Sequence, residues 1–292
     1  MDEIPDIEFR HLRNFAVIAD AGTITEAAAR LRIAQPSLSQ QLKALEQRVG
    51  AKLFDRTPRG MTLTSGGRAL LDGVHRATDE LRAGLALVRD EPLHARIGLC
   101  RGVPQAVLAR VQDIATARRP LDITFGPADS HRQADLLRSG RIDFGVLRPP
   151  IDDTGLVTRI VSDEPLGLVL DRRHPLADRP TLTWTELTGL RLLWFSPTRA
   201  PGYAAAIIAR LRANGWTPSI TIDDHATHTL FRHALLTHRD LVALRPRALV
   251  ADDTELVWRA IEPDAPHEQL ALVARADTIW ARLLAPDAED HP

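Results

Sequence analysis

The chain has 292 residues, a net charge of −1, 44% hydrophobic and 26% charged residues, and a single cysteine. That length accommodates two or three compact units, the composition is that of a soluble globular protein, and one cysteine excludes an intramolecular disulfide. The N-terminal stretch MDEIPDIEFRHLRN is acidic without an apolar core, so no secretory signal is expected. No apolar run reaches the roughly 18 residues of a membrane span, and a cytoplasmic protein without a membrane partner is expected.

In chain order, Phe9, Leu12, Phe15, Ala16 and Ala19 predict a first helix with one buried face, ending near Gly22. Thr23 and Glu26 have the spacing of a reciprocal capping box, which starts a second helix burying Ile24, Ala27, Ala28 and Leu31. Pro36 suits the first position of a third helix, because its missing N–H costs nothing there. Leu38, Leu42, Leu45 and Val49 form one apolar stripe of that helix, and Gly50 ends it as a left-handed cap. Its opposite face carries Pro36, Ser39, Gln40, Lys43 and Gln47. Leu53-Phe54, the tip Pro58-Arg59-Gly60 and the return through Met61 to Leu63 predict a hairpin.

Two helices, a tight turn and a basic hairpin make a winged helix-turn-helix, a reader of DNA major grooves. Short hydroxyls and amides at a helix N-terminus can pair with base edges, Gln with adenine being the bidentate case. Between Arg30 and Arg68 the bases Arg30, Arg32, Lys43, Arg48, Lys52, Arg56, Arg59 and Arg68 face only Glu46 and Asp55, a local patch in a nearly neutral protein. The same patterning also fits an ordinary three-helix core with a solvated basic face.

Thr64 or Ser65 caps a long helix in which Leu71, Val74, Thr78, Leu81, Leu85 and Val88 follow heptad spacing. The seam spans about 27 Å at 1.5 Å per residue, too long to bury against a small DNA-binding unit. A second copy of the helix is the expected partner, with Leu71, Val74, Leu81, Leu85 and Val88 at the interface; packing on the chain's own C-terminal part is the alternative.

From Arg96 onward short strands alternate with helices, among them strands at 157–161 and 166–170 and a last helix at 277–284. This predicts an α/β domain with parallel sheets. In open α/β sheets ligands sit beyond the carboxyl ends of strands, near helix N-termini. Those positions hold Cys100, Arg101 and Gly102; Asp129 and Ser130; Arg148; Ser196, Thr198, Arg199 and Tyr203; Thr227 and His228.

The motifs G-T-I-T-E-A-A-A-R-L, Q-P-S-L-S-Q-Q-L-K-A-L-E and V-G-A-K-L-F-D-R-T-P-R-G-M-T-L-T-S-G-G resemble, in order and spacing, the DNA-binding region of LysR-type transcriptional regulators. The match covers residues 9 to 90 most strongly. Leu136 to Asp143, Glu164-Pro165-Leu166 and His174 to Ala177 resemble the effector domain of the same family. The resemblance implies a winged helix-turn-helix at 1–65, a linker helix at 66–91 and a two-lobe, periplasmic-binding-protein-like α/β effector domain at 92–292. Lobe I would hold 92–163 and 267–292, and lobe II 164–266.

It further implies base contacts from Gln35, Pro36, Ser39 and Gln40, with phosphate or wing contacts from Thr23, Thr25, Lys43, Arg56, Arg59 and Thr64. Effector contacts carried over are Arg101, Ser130, Arg148, Ser196, Thr198 and Thr227. The implied partners are double-stranded promoter DNA, a small-molecule effector such as an organic or aromatic acid, further copies as dimer or tetramer, and RNA polymerase; no cofactor is implied. Arginines near one cleft suit a carboxylate, which a guanidinium grips with two parallel hydrogen bonds. This sequence departs from the pattern at Ala34, where a Ser commonly precedes Gln-Pro, and across Arg232 to Val242, where a glycine is missing.

Other chemistry has less to name. His225, His228, His233 and His238 beside Asp223 and Asp224 leave open a metal-responsive regulator, and Cys100 next to Arg101 a redox-responsive one. No G-x-S-x-G, P-loop or G-x-G-x-x-G is present, so no enzyme is expected. A solute-binding protein, the remaining rival, would need a signal peptide.

Overall fold

The computed structural model describes residues 7–57, 60–222 and 228–284, which divide into two compact units, one running to Glu91 and including Ser139–Arg141, the other beginning at Pro92 and holding the rest. No described helix is long and apolar enough to cross a membrane.

In the first unit, α1 (Phe9–Ala21), α2 (Ile24–Leu31) and α3 (Gln35–Val49) are followed by the hairpin β1 (Phe54–Thr57) and β2 (Gly60–Leu63), then α4 (Ser65–Arg89). Phe15, Ile18, Ala27, Leu38, Leu45, Leu53 and Phe54 form its core. Thr23 caps α2 by accepting from Glu26 N at 3.2 Å, but the reciprocal half of the expected box is absent, because the Glu26 carboxylate pairs with Arg30 at 3.1 Å. α3 starts one residue before the predicted Pro36. Ala34 is its N-cap without a side-chain hydrogen bond, and Pro36 is tolerated second because the first-turn N–H groups all lack intrahelical partners. Gly50 closes α3 at φ 73°. At Gly67 a Cβ would fall 2.0 Å from Leu53 O, so only glycine lets α4 pass this close to the start of the hairpin.

Leu71 and Val74 correct the heptad reading. Both are buried in the unit's own core, at 7% and 4% exposure, so the outward seam begins after Thr78, whose hydroxyl donates to Val74 O at 2.7 Å. Leu81, Leu85 and Val88 are exposed, joined by Leu87.

The second unit comprises β3 (Leu93–Leu99), α5 (Gln105–Thr116), β4 (Leu121–Pro127), α6 (Ser130–Arg138), β5 (Phe144–Leu147), β6 (Leu156–Asp171), β7 (Thr181–Leu182), β8 (Arg191–Trp194), α7 (Pro201–Ala213), β9 (Ile220–Ile222), α8 (His228–Thr237), β10 (Leu241–Pro246), β11 (Leu256–Ile261), β12 (His267–Arg275) and α9 (Ala281–Leu284). Strand order is β4-β3-β5-β12-β6-β10-β8-β9, with β11 also on β6 and β7 on β11. The flanks are parallel, as expected, but the pairs at the centre, β5–β12, β12–β6 and β6–β10, are antiparallel.

The two strands expected at 157–161 and 166–170 are one, because Ser162 to Pro165 stay extended opposite His267 to Leu270 of β12. β6 pairs with β12 up to Pro165 and with β10 and β11 beyond it, passing from one lobe to the other. The last helix is shorter than expected, since Arg275, Asp277 and Thr278 form a turn with an Arg275–Asp277 ion pair and a Thr278 to Arg275 hydrogen bond.

Lobe II buries both faces of β8. Leu192 and Trp194 pack in the larger core with Tyr203, Ile207 and Leu211, while Leu193 packs with Phe231 and Leu235. The turn at His238 to Leu241, where a glycine was missed, closes by Leu241 N donating to His238 O at 3.0 Å with no positive φ in those residues. α8 is held to the strand layer by Arg232, which donates to Asp253 Oδ1 at 3.1 Å and to Glu255 Oε2 at 2.9 Å. Burial opposes the charge on Asp253, but Arg232 and the N–H groups of Glu255 and Leu256 outweigh it and lower its carboxyl from 3.8 to about 2.

Because that carboxyl is depressed on folding, its contribution is present above pH 4 and is lost as pH falls toward 2. Asp253→Asn is expected to cost about 1–3 kcal/mol at pH 7, and the gap to wild type should narrow between about pH 4 and pH 2. Urea unfolding followed by tryptophan fluorescence checks this, since Trp184, Trp194, Trp216, Trp258 and Trp280 all belong to the second unit. A constant gap across that range would show that Asp253 is not the titrating group.

Candidate functional site

In the first unit the buried stripe of α3 orients the rest of the helix. With Leu38, Leu42 and Leu45 inside, Gln35, Pro36, Gln40 and Lys43 stand exposed, Ser39 half-buried beside them. Thr25 and Arg56 are also exposed. Thr23 and Thr64 are partly buried, and their hydroxyls serve the fold. Thr23 caps α2, while Thr64 accepts from Gly67 N at 2.9 Å and donates to Lys52 O at 2.8 Å. Arg59 lies outside the described residues.

Two positioning contacts escaped the sequence reading. Asn14 of α1 donates to Gln41 Oε1 at 2.7 Å, fixing the rotation of α3 from its inner flank. Glu46 accepts from Leu53 N at 2.8 Å and Phe54 N at 3.4 Å, so a carboxylate on α3 holds the first strand of the hairpin. The only sequence signal for Glu46 is an acid standing in a basic segment one short loop before a strand.

The second unit contains a cavity of about 300 Å³ at the carboxyl ends of its strands. Cys100, Arg101 and Gly102 follow β3, Asp129 and Ser130 open α6, and Arg148 follows β5; all six line it. From lobe II come Trp194, Phe195, Arg199, His228, Phe231 and Arg245, and Glu268 enters from β12. Of the expected ligand contacts, Arg101, Ser130 and Arg148 therefore share one wall. Ser196 and Thr198 stand beside it, hydrogen-bonded to each other at 2.9 Å, and Thr227 lies outside the described residues.

Arg148 is committed to the protein. Its Nε donates to Glu268 Oε2 at 2.6 Å, its Nη1 to Arg101 O at 2.8 Å and Cys100 Sγ at 3.2 Å, and its backbone N to Ser130 Oγ at 3.1 Å. Its side chain lies over the Tyr203 ring, 5.7 Å from the centroid, and the Tyr203 hydroxyl donates to Glu268 Oε2 at 3.2 Å. Burial works against the Arg148 charge, but Glu268 beside it holds the guanidinium protonated far above its ordinary value. Burial and Glu268 together push the Tyr203 phenol up. Burial likewise pushes the Cys100 thiol up, against the pull of Arg148, so thiolate character at this cysteine is suppressed. Arg245 lies 4.9 Å from the Phe231 ring centroid, setting a cation against an aromatic wall.

Of the histidine run, His225, Asp223 and Asp224 lie outside the described residues. His228, His233 and His238 are exposed, and among the described residues no three His, Cys, Asp or Glu side chains gather as a metal site.

Two family descriptions match the chain in order: the bacterial regulatory helix-turn-helix protein of the lysR family over residues 9–68, and the LysR substrate binding domain over residues 76–282. The uncharacterized HTH-type transcriptional regulator YnfL of Escherichia coli K12 is 33% identical over 225 residues, covering 74% of this chain and 75% of its own. HcaR of the same organism, the Hca operon transcriptional activator, is 30% identical over 91% of each chain. Among solved structures, the LysR family regulator CbnR superimposes with a TM-score of 0.69 over 95% of this chain and 97% of its own at 20% identity. A full-length OxyR variant from Pseudomonas aeruginosa gives 0.70 over 98% and 99% at 17% identity; both likenesses are of fold. An exposed, amide-bearing helix in a basic winged unit, a strand-end cavity in a two-lobe α/β unit, and family matches over residues 9–68 and 76–282 place this protein in the LysR family of DNA-binding transcriptional regulators, which are not enzymes.

Proposed function

We propose that this regulator reads promoter DNA as a homo-oligomer through α3 and its wing, and that a small organic acid in the strand-end cavity controls it. The observation that carries the ligand reading is the wall itself. Arg101, Arg199 and Arg245 line the same space as Leu193, Phe195, Phe231 and Leu249, with the Arg245 guanidinium over the Phe231 ring. Cations grip a carboxylate, and aromatic and aliphatic walls take an apolar body. Such a ligand acts only through a difference in its affinity for two arrangements of the protein. A redox reading is less favoured because burial keeps the Cys100 thiol protonated.

On the DNA side, Gln35, Pro36, Ser39 and Gln40 take the base-facing role and Lys43 and Arg56 the phosphate role, while Thr23 and Thr64 act by shaping the unit. Gln40→Ala is expected to lose about 1–3 kcal/mol on a site selected from random DNA and little on unselected DNA, read by titration at fixed salt. Equal loss on both would make Gln40 a positioning contact.

Oligomerisation falls to Leu81, Leu85 and Val88, whose exposure in one chain is 49%, 43% and 85%. Leu85→Glu should shift the protein toward monomer in light scattering and weaken binding to two-half-site DNA more than to a single half-site. An unchanged mass would move the interface elsewhere.

For the ligand, small carboxylic acids should raise the melting temperature of the full chain, and Arg199→Met should weaken that binding by about tenfold or more. Stabilisation by divalent metals alone would replace the acid with a metal effector.

A further inference from the structure

The two oxygens of the Glu268 carboxylate are used unequally. Oε2 accepts both from Arg148 Nε and from the Tyr203 hydroxyl. Oε1 is buried and accepts from no described group, although Glu268 is 5% exposed and forms part of the cavity wall. Turning the carboxylate over cures nothing, since both donors then meet Oε1 and Oε2 is orphaned in its place. Within the cluster Arg148 Nη1 is directed away from the orphaned oxygen, to Arg101 O and Cys100 Sγ, and on the same cavity wall the Trp194 indole N–H is likewise buried without a described partner. A carboxylate is acceptor-only, and leaving a buried acceptor without a donor is costly, more so for a charged one. Buried polar groups in native proteins are nearly always paired, and at a cavity wall a bound water, ion or ligand is what can complete an exception. Here the group adjoins a space of small-molecule size.

The same cavity also carries Arg101, Arg199 and Arg245, so its lining has an acidic as well as a cationic part. A plain aromatic or aliphatic acid answers only the cations. From this we infer that the ligand carries, besides its carboxylate, a hydrogen-bond donor that reaches Glu268 Oε1: the cavity takes a small hydroxy acid or amino acid. This rests on the organic-acid reading above and narrows it. Glu268 acts in this account as a specificity residue, selecting against acids that leave its second oxygen unmet.

The test is a matched series on the full-length protein by calorimetry and thermal shift. The series sets phenylpropionate against 3-phenyllactate and phenylalanine, and benzoate against 3- and 4-hydroxybenzoate. In each set that binds, the donor-bearing member is expected to bind roughly tenfold to a hundredfold more tightly. Phenyllactate above phenylalanine assigns a hydroxyl, and the reverse assigns an ammonium. In Glu268→Gln the amide oxygen faces Arg148 and Tyr203 and the NH2 takes the place of Oε1, so the preference should vanish or invert. Tryptophan fluorescence confirms that the variant is folded, and if it is not, the wild-type series decides alone. Parent acids that bind as tightly as their hydroxy or amino partners would show that solvent serves Oε1 and would overturn the inference while leaving the acid reading intact. Absence of binding by every acid removes the acid reading and this one with it.

Discussion

β6 is hydrogen-bonded to β12 from Leu156 opposite Arg275 to Pro165 opposite His267, and beyond Pro165 the same backbone passes to β10 and β11. One unbroken strand thus belongs to the sheets of both lobes, and the geometry of the cavity follows from where it crosses. The register places Glu268 opposite Glu164, at the end of the shared segment, with Arg148 arriving from lobe I and Tyr203 from lobe II. A one-residue slip would turn Glu268 to the other face of the sheet and dissolve the cluster. Irregular pairing is confined to Leu270/Ala271, inside the lobe I half.

Electrostatics then decides what the cavity accepts. Arg148 is the most deeply engaged of its cations, and its partner Glu268 keeps it charged against burial. A buried pair of this kind gives little net stability, since desolvation offsets most of the attraction, and its value here lies in orientation. It fixes the loop after β5, through Ser130 and Arg101, on a wall that Arg101, Arg199 and Arg245 also line. In the first unit Glu46 has the corresponding duty: a carboxylate of α3 accepts from the backbone of the hairpin, so recognition helix and wing are set by one side chain.

Much of this was legible in the sequence where the cause is local. The stripe Leu38, Leu42, Leu45 and the closing Gly50 place α3 within a residue, and strand ends followed by helix starts located Cys100 to Gly102, Asp129, Ser130 and Arg148 along the cavity. Errors arose where one spacing serves two causes. Leu71 and Val74 keep the same heptad phase as Leu81 and Leu85, but α4 spends its first turns in its own unit's core. Ser162-Asp163-Glu164-Pro165 reads as a break because it is polar, yet a partner strand 104 residues away keeps it extended, His267 meeting Asp163 at 2.7 Å. Glu268 sits 120 residues from Arg148, and no local pattern announces such a meeting. Phe231 and Arg245 were missed for the same reason: their proximity is a property of the sheet order.

The central claim is that a donor-bearing acid occupies the space between Glu268 and the lobe II arginines. Hydrogen exchange of the full-length protein, with and without the tightest-binding acid of the matched series, tests it most directly. Slowed exchange concentrated at residues 100–102, 129–131 and 148, in the first turns of α7 and α8, and around Glu268 in β12 is the predicted result. Protection elsewhere, with these segments unchanged, would contradict the account.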